Sequence, residues 1–148
     1  MALGTLDTFR TTVAAAAIGM ARAAYEASLD YAKNREMFGQ KLSDFQATQF
    51  KLADMAVSLD AARLLAHRAA WLKDSGQESI IKEASFAKLF ATEAASRIID
   101  EAVQIHGGAG LEKGNRVERL YREVRALTIY EGTSEIQRQT IARQLLQN

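Results

Sequence analysis

The glutamate at position 131 stands beside Gly132, in a loop just ahead of a predicted helix. Thr133 or Ser134 is able to cap that helix, which would place fixed backbone N–H groups next to the carboxylate. Such a carboxylate suits a general base, because removal of a proton from carbon is favoured where fixed donors hold the product oxyanion. The alternative is an acidic residue that only favours the positive end of a helix dipole. These residues alone leave both interpretations open.

A second combination with possible chemistry is Arg35 with Phe38, just past the end of the first predicted helix. A guanidinium is able to hold a phosphate, and an aromatic side chain is able to cover a flat ligand ring. The simpler interpretation is an arginine that offsets the negative end of the helix dipole. Gln104 and His106, at the end of a later helix, have equally simple interpretations as surface or capping groups.

The glycine-rich segment at 107–114 follows a predicted helix rather than a strand. It is therefore not the dinucleotide fingerprint of a βαβ unit. Helix termination by left-handed glycines is the favoured interpretation, with a phosphate contact as the second. The chain has no cysteine and two histidines, which argues against disulfides, thiol catalysis and a typical zinc site.

The elements that position these residues are predicted to be long helices, because the chain contains no proline and its apolar residues recur at steps of three and four. Ser43 followed by Gln46 is a capping-box pattern and predicts a helix start near Asp44. A seam of small and aliphatic residues, interrupted by Lys88, follows the third helix and would let a neighbouring helix approach closely. The predicted fold class is all-α, an antiparallel four-helix bundle with short additional C-terminal helices. We expect helices at about 8–34, 44–74, 79–106, 116–127 and 133–147.

The 148 residues are expected to form one domain, residues 1–148. Lys and Arg number 19 and Asp and Glu number 18, and the net charge of +1 gives no support to nucleic-acid binding. The weakly polar run at 13–21 is far shorter than the roughly 20 residues that span a bilayer, so no membrane insertion is expected. The arginines at 116–125 alternate with Glu118 and Glu123, which favours a salt-bridged helix face.

Five segments, in this order, resemble the C-terminal helical domain of the acyl-CoA dehydrogenases, flavoenzymes that introduce an α,β double bond into acyl-CoA thioesters. They are LDTFR at 6–10, REMFG at 35–39, FQ at 45–46, QIHGGAG at 104–110 and YEGTSEIQ at 130–137. One segment would be weak evidence, but five in this order and spacing are specific. The resemblance covers nearly the whole chain.

The resemblance implies that Glu131 is the catalytic base, which removes the substrate α-proton while the β-hydride passes to N5 of FAD. The backbone N–H of the base residue and a flavin hydroxyl would polarise the thioester carbonyl. The positions that match substrate contacts are Asp7, Thr8, Phe9, Arg10, Tyr130 and Gly132. Those that match FAD contacts are Arg35, Glu36, Met37, Phe38, Phe45, Gln46, Gln104, Ile105, His106, Gly107, Gly108, Thr133, Ser134 and Glu135. Glu135 stands where several relatives have glutamine.

The resemblance also implies partners. In the family, residues of the Arg35 and Gln104 type reach the FAD of a neighbouring subunit, so we expect a homo-oligomer, a dimer or a tetramer. The expected substrate is an acyl-CoA, and the expected electron acceptor is an electron-transferring flavoprotein. The expected location is the cytoplasm of a bacterium or the mitochondrial matrix of a eukaryote.

Family members normally carry an N-terminal helical domain and a middle β-domain ahead of this part. Neither is present here, and Met1–Ala2 is interpreted as a start placed at a domain boundary. We therefore expect the isolated chain to fold without being catalytically active. Two other functions remain open from the sequence: a helical self-association module without catalysis, and a relative with flavin oxidase or monooxygenase chemistry.

Overall fold

The computed structural model describes the backbone of residues 2–147 and the side chains of residues 6–147. Met1 and Asn148, which belong to the expected domain of residues 1–148, lie outside the described residues. The all-α prediction is confirmed, with one small hairpin added. The elements are α1 (Ala2–Asn34), β1 (Glu36–Met37), β2 (Gln40–Lys41), α2 (Gln46–Asp74), α3 (Ile81–His106), α4 (Arg116–Val124) and α5 (Ser134–Leu146).

Three long helices form the body of the bundle, and the shorter α4 and α5 pack against α3. Lys51 near the start of α2 pairs with Glu101 near the end of α3, whereas Arg68 near the end of α2 lies 3.8 Å from Glu83 at the start of α3. The helix α2 is therefore antiparallel to α3. Tyr31, near the end of α1, stacks on His106 at the end of α3, so α1 and α3 run parallel.

The core is rich in alanine where α1 meets α3. Alanines at 14, 17, 21 and 24 of α1 share one buried cluster with those at 87, 91, 95 and 102 of α3. Small side chains let two helix backbones approach closely. The α3 seam is thus buried inside the chain, and the helix that approaches it closely is α1.

The expected capping box of Ser43 and Gln46 is wrong. Leu42–Asp44 forms a 3-10 turn, and Phe45 with an extended backbone is the N-cap of α2. The Asp44 carboxylate instead accepts the backbone N–H of Lys41 at 3.1 Å. The hairpin brings Lys41 to the entry of the 3-10 turn. The Asp44 carboxylate therefore accepts a hydrogen bond at the start of this turn and does not cap α2.

The hairpin β1–β2 is absent from the sequence prediction. Glu36 pairs with Lys41 and Met37 with Gln40 in antiparallel register. The two turn residues, Phe38 and Gly39, both have positive φ, 49° and 80°, as a two-residue hairpin with right-handed strand twist requires. Phe38 is left 91% exposed at the tip.

The outer face of α2 carries an apolar stripe with a seven-residue spacing. Phe50, Val57, Leu64 and Trp71 are each between 60% and 70% exposed. We call these four residues the α2 stripe.

On α4 the expected salt-bridged face is present, since Arg122 donates to Glu118 at 2.6 Å and Arg119 lies 3.9 Å from Glu123. No helix in residues 2–147 combines the length and the apolar character needed to cross a bilayer.

Candidate active site

The loop between α4 and α5 holds Glu131 in an uncommon backbone conformation. Glu131 has a φ of 55° and Gly132 a φ of 91°, so two consecutive residues occupy the left-handed region. That region costs a non-glycine residue about 1–2 kcal/mol, and such residues persist only where their surroundings hold them. Within the described part of the chain, no group accepts a hydrogen bond from the Glu131 N–H. One half-buried residue therefore offers a carboxylate and an unused donor.

Two fully buried side chains hold the carbonyl oxygens of this turn. The Lys88 ammonium donates to the Gly132 carbonyl at 2.6 Å. The Gln137 amide donates to the Glu131 carbonyl at 3.0 Å and to the Gly132 carbonyl at 3.1 Å. Both side chains are 0% exposed. Sequence reasoning assigned neither of them; the signal for Lys88 was its position as a charged residue in the apolar α3 seam.

The first turns of α1 bring Asp7 and Arg10 to the same region. The Arg10 guanidinium donates to the Asp7 carboxylate at 3.3 Å. The Arg10 side chain is 12% exposed and the Asp7 side chain 7%. Burial raises the pKa of Asp7 above its usual value, and the charges of Arg10 and Lys73 oppose that rise. The Nε atom of Arg10 is buried without a partner among the described residues.

Electrostatics tie these groups to Lys88. Burial lowers the pKa of Lys88 below its usual value, the Arg10 charge lowers it further, and the Glu131 carboxylate opposes both effects. Arg10, Lys88 and Glu131 therefore share one electrostatic environment. We call Asp7, Arg10, Lys88 and Glu131 the carboxylate site.

The remaining residues expected near the substrate lie at the surface beside these positions in the chain. Thr8, Phe9 and Tyr130 are exposed, Phe9 to 50% and Tyr130 to 44%. Gly132 is half-buried. An added Cβ at Gly132 would lie 2.8 Å from the Gln137 amide nitrogen, so the turn accepts no side chain at this position without a shift.

The start of α5 follows the same turn. The Thr133 hydroxyl accepts the Ile136 N–H at 3.4 Å, which confirms it as one of the two expected caps. Ser134 is buried, whereas Glu135 is exposed. The pKa of Glu135 is lowered, chiefly because its own backbone N–H and the Thr133 hydroxyl hydrogen-bond to the carboxylate.

A groove of about 630 Å³ lies at the end of the bundle where Tyr31 meets His106. Tyr31, Leu42, Thr48 and Lys51 contribute to its walls. The residues predicted for FAD that line it are Arg35, Met37, Gln104, Ile105, His106, Gly107 and Gly108. The structure thus brings together side chains from the hairpin and from the α3 end, which are about 70 positions apart in the sequence.

His106 forms a fixed wall of this groove. Its ring stacks on Tyr31 with centroids 4.4 Å apart, and its Nδ1 lies 2.7 Å from the Ala102 carbonyl, which indicates an Nδ1–H donor. The side chain is buried, so the interpretation of His106 as a surface group is wrong. Gln104 is exposed.

Four other residues predicted for FAD do not line the groove. Glu36 forms an ion pair with Lys41 at 2.5 Å, and Phe38 extends from the hairpin tip. Phe45 is half-buried as the N-cap of α2, and Gln46 is exposed in the first turn. Leu42 and Thr48, which flank Phe45 and Gln46 in the chain, do line the groove.

The groove and the carboxylate site lie far apart. Lys88 and His106 are eighteen positions apart on α3, which is about 27 Å at the helical rise. Apart from the four residues that do not line the groove, the residues predicted for FAD therefore divide into a groove set and the set Thr133, Ser134 and Glu135 beside Glu131.

The groove fits a phosphate-bearing cofactor such as FAD. Gly107 has a φ of 56°, and a Cβ added at Gly107 or Gly108 would meet nothing within 4 Å. Backbone is thus open to close approach there, while Arg35 supplies a positive charge on the same wall. The described residues show no cluster of three His, Asp or Glu side chains that could hold a metal ion.

Together these features define a helical domain with a groove of about 630 Å³ at the end of α3 and a separate carboxylate site farther along the same helix. Residues 1–146 match the family described as the C-terminal domain of acyl-CoA dehydrogenase. The chain belongs to this family.

Known relatives agree with this assignment. The short-chain specific mitochondrial acyl-CoA dehydrogenase of Bos taurus is 51% identical over 148 residues, 100% of this chain and 36% of that protein. The CarC subunit of the caffeyl-CoA reductase–Etf complex of Acetobacterium woodii is 48% identical over 145 residues, 98% of this chain and 38% of that protein. The structure of butyryl-CoA dehydrogenase from Megasphaera elsdenii superposes with a TM-score of 0.95 at 42% identity, over 98% of this chain and 38% of that one. The chain spans well under half the length of these relatives.

Proposed function

We propose that this chain is the C-terminal domain of an FAD-dependent acyl-CoA dehydrogenase, with Glu131 as its catalytic base. The observation that carries the proposal is the Glu131–Gly132 turn, where a strained residue combines a carboxylate with an unused backbone N–H. The domain by itself is inactive in this proposal, because other domains of the parent enzyme supply the remaining walls around the flavin and the acyl chain.

The chain's own residues account for the proton half of the reaction. The Glu131 carboxylate removes the α-proton of the thioester, and the Glu131 N–H donates to the thioester oxygen, where negative charge develops. The FAD group, when bound, supplies the acceptor for the β-hydride at N5. Lys88 and Gln137 hold the two carbonyls of the left-handed turn, and the Glu131 carboxylate and N–H stay available to a ligand.

Two sets of residues would hold FAD in the assembled enzyme. The groove set is proposed to hold the cofactor of a neighbouring subunit. Arg35 would hold a phosphate, and the open backbone at Gly107 and Gly108 would let the cofactor approach closely beside Gln104. Thr133, Ser134 and Glu135 would contact the cofactor that serves Glu131. The separation of about 27 Å along α3 supports this division.

The proposed substrate is a short-chain acyl-CoA, with Asp7 and Arg10 toward its CoA part. The names of the Bos taurus and Megasphaera elsdenii proteins, short-chain specific and butyryl-CoA, support this substrate class. The buried Arg10 Nε without a partner supports a ligand contact at this position.

The proposed assembly is a homo-oligomer that passes electrons to an electron-transferring flavoprotein. The exposed α2 stripe supports self-association, since its seven-residue spacing forms a continuous apolar face on a helix. The name of the Acetobacterium woodii relative, a subunit of an Etf complex, supports the electron acceptor.

Replacing Glu131 by Gln in the complete FAD-loaded enzyme tests the proposal. We expect flavin bleaching by butyryl-CoA under anaerobic conditions to fall by at least about 100-fold, because the general base is lost. Glu123→Gln, at an exposed position of α4, is the matched control and should bleach normally.

Retained flavin reduction by the Glu131→Gln enzyme would contradict the assignment of the base. If the unmodified enzyme does not oxidise any acyl-CoA, while it and the Glu131→Gln and Glu123→Gln variants all assemble normally, the self-association module is favoured. Rapid reoxidation of the reduced flavin by oxygen would favour the oxidase chemistry.

A further inference from the structure

The buried cation at position 88 is unexplained by the proposed reaction. Its ammonium is 0% exposed, and its hydrogen-bond acceptor in the structure is the Gly132 carbonyl at 2.6 Å. No carboxylate lies within ion-pair distance of it among the described residues. The charged groups that act on it are Arg10 on α1, Glu93 on α3, Glu131 in the loop and Glu135 on α5.

A purely structural purpose explains this arrangement poorly. Burying an ammonium against a neutral carbonyl carries a large desolvation cost, whereas an apolar side chain of similar volume would fill the same space without it. The rest of the α3 seam is made of alanine and isoleucine, which are typical of such packing. A cost of this kind is expected where a group holds a functional conformation.

The acceptors of this region show what is held. The Glu131 and Gly132 carbonyls belong to the two residues with positive φ. Fixing both carbonyls therefore fixes the backbone on either side of Gly132. Gln137 contacts both carbonyls, and Lys88 contacts the second. The two donors come from different helices, α5 and α3, and they therefore join the turn to the bundle.

We propose that Lys88 is a positioning residue for the base: with Gln137, it holds the Glu131–Gly132 turn so that the Glu131 carboxylate and N–H face one ligand. This inference rests on the proposed function for its effect on the rate. The hydrogen bonds by which Lys88 and Gln137 hold the turn, here called the clamp, do not depend on the proposed function, because they lie within this chain.

The kinetic test compares Lys88→Met with Lys82→Met in the complete FAD-loaded enzyme. Methionine keeps the volume but removes the charge and the donor, and Lys82 is a half-buried lysine of the same helix, 3.5 Å from Glu83. We expect Lys88→Met to lower kcat about 10- to 100-fold, the effect of misplacing a reacting group by a fraction of a bond length or more. The KM for butyryl-CoA should change by less than about threefold.

The split between kcat and KM separates positioning from folding. A displaced base lowers kcat per bound flavin while butyryl-CoA still binds, so KM should stay nearly unchanged in Lys88→Met. Neither value should change in Lys82→Met. A residue that only supports folding would reduce the yield of enzyme and leave kcat per bound flavin unchanged.

A second readout uses the 148-residue chain without flavin. In 13C-labelled chain, Lys88→Met should shift the carbonyl resonance of Gly132, whereas Lys82→Met should leave it unchanged. An unchanged Gly132 resonance in Lys88→Met would overturn the clamp. If Lys88→Met does not fold, Lys88→Gln replaces it in both experiments, with a smaller loss of kcat and a KM that stays nearly unchanged.

These outcomes distinguish the two proposals. An unchanged kcat in Lys88→Met, together with an inactive Glu131→Gln enzyme, would overturn the positioning role and leave the proposed function standing. An active Glu131→Gln enzyme would overturn the proposed function, and the Gly132 resonance would still decide whether Lys88 clamps the turn.

Discussion

Glu131, Asp7 and Lys88 each occupy a state that an isolated residue avoids. Glu131 has a positive φ, and burial disfavours the charged forms of Asp7 and Lys88. Local conflicts of this kind concentrate at functional sites, since the remaining structure stabilises them. Three of them within one site are stronger evidence for function than any of the three alone.

Asp7 provides a prediction of pH dependence. Because burial raises its pKa above 3.8, the folded state binds the proton more tightly than the unfolded state. Its stabilising contribution is fully present below 3.8 and is lost as pH rises through the higher folded value. Asp7→Asn removes this titration. We expect the free energy of unfolding of the unmodified chain, relative to Asp7→Asn, to rise as pH falls from neutral toward 3.8, measured by urea unfolding.

Arg10 and Lys73 set the size of this effect, because both cations favour the ionised carboxylate and oppose the rise. Lys73→Met should therefore enlarge the pH-dependent difference. A difference between the unmodified chain and Asp7→Asn that stays constant, or falls, over the same range would contradict the predicted sign.

The sequence offered candidate side chains of the site but not their supports. A carboxylate beside glycine and a capped helix made Glu131 a candidate base with a helix-dipole alternative, and only the resemblance to the family motif assigned it that role. The contacts of Lys88 to Gly132 and of Gln137 to Glu131 depend on how α3, α5 and the loop pack. A charged residue in an apolar seam indicates that something polar must meet it, but periodicity does not show which group does so.

At the scale of elements, the 3-10 segment Gly107–Leu111 must pack tightly against the end of α3. A Cβ at Gly110 would lie 2.7 Å from the Val103 carbonyl oxygen and 3.0 Å from the His106 Cβ. We expect Gly110→Ala to lower the free energy of unfolding by about 1–3 kcal/mol, the usual effect of overpacking. Thermal or urea unfolding of the chain measures this.

Gly108 is the matched control for this prediction. It lies in the same segment, and an added Cβ there would meet nothing within 4 Å. Gly108→Ala should change the unfolding free energy by less than about 0.5 kcal/mol. Equal losses for the two variants would show that the packing of this segment on α3 is not the cause.

Helix existence was predictable, whereas some helix ends were not. The expected ranges found all five helices, because three- and four-residue periodicity and the lack of proline are properties of the local chain. Thr133 caps α5 as expected, but the pattern at Ser43 and Gln46 is overridden by the hairpin before it. The hairpin itself depends on a turn at Phe38 and Gly39, and phenylalanine is an uncommon residue at positive φ.

At the scale of the whole molecule, the two sites lie at separate positions along the α1–α3 pair. If the groove serves the flavin of a neighbouring subunit, Arg35→Ala and Glu131→Gln damage different flavin sites of the oligomer. A hybrid of the two variants then contains one site with neither change. We expect co-expressed variants to regain acyl-CoA oxidation that neither variant shows alone, measured as flavin bleaching by butyryl-CoA.

The control for this experiment is the double variant Arg35→Ala, Glu131→Gln, co-expressed with Glu131→Gln. Every site of that hybrid lacks the base, so no recovery is expected. An inactive mixture of the two single variants, with hybrid oligomers shown to be present, would place the groove and Glu131 in the same flavin site.

Trp71 gives the α2 stripe a spectroscopic consequence. It is the one tryptophan of the chain, and 66% of it is exposed at the end of α2. Its fluorescence therefore reports on a single place, with the red emission of an indole in water as the starting state. Any domain or subunit that covers this end of the stripe would shift the emission to the blue, so the chain carries its own optical probe of assembly.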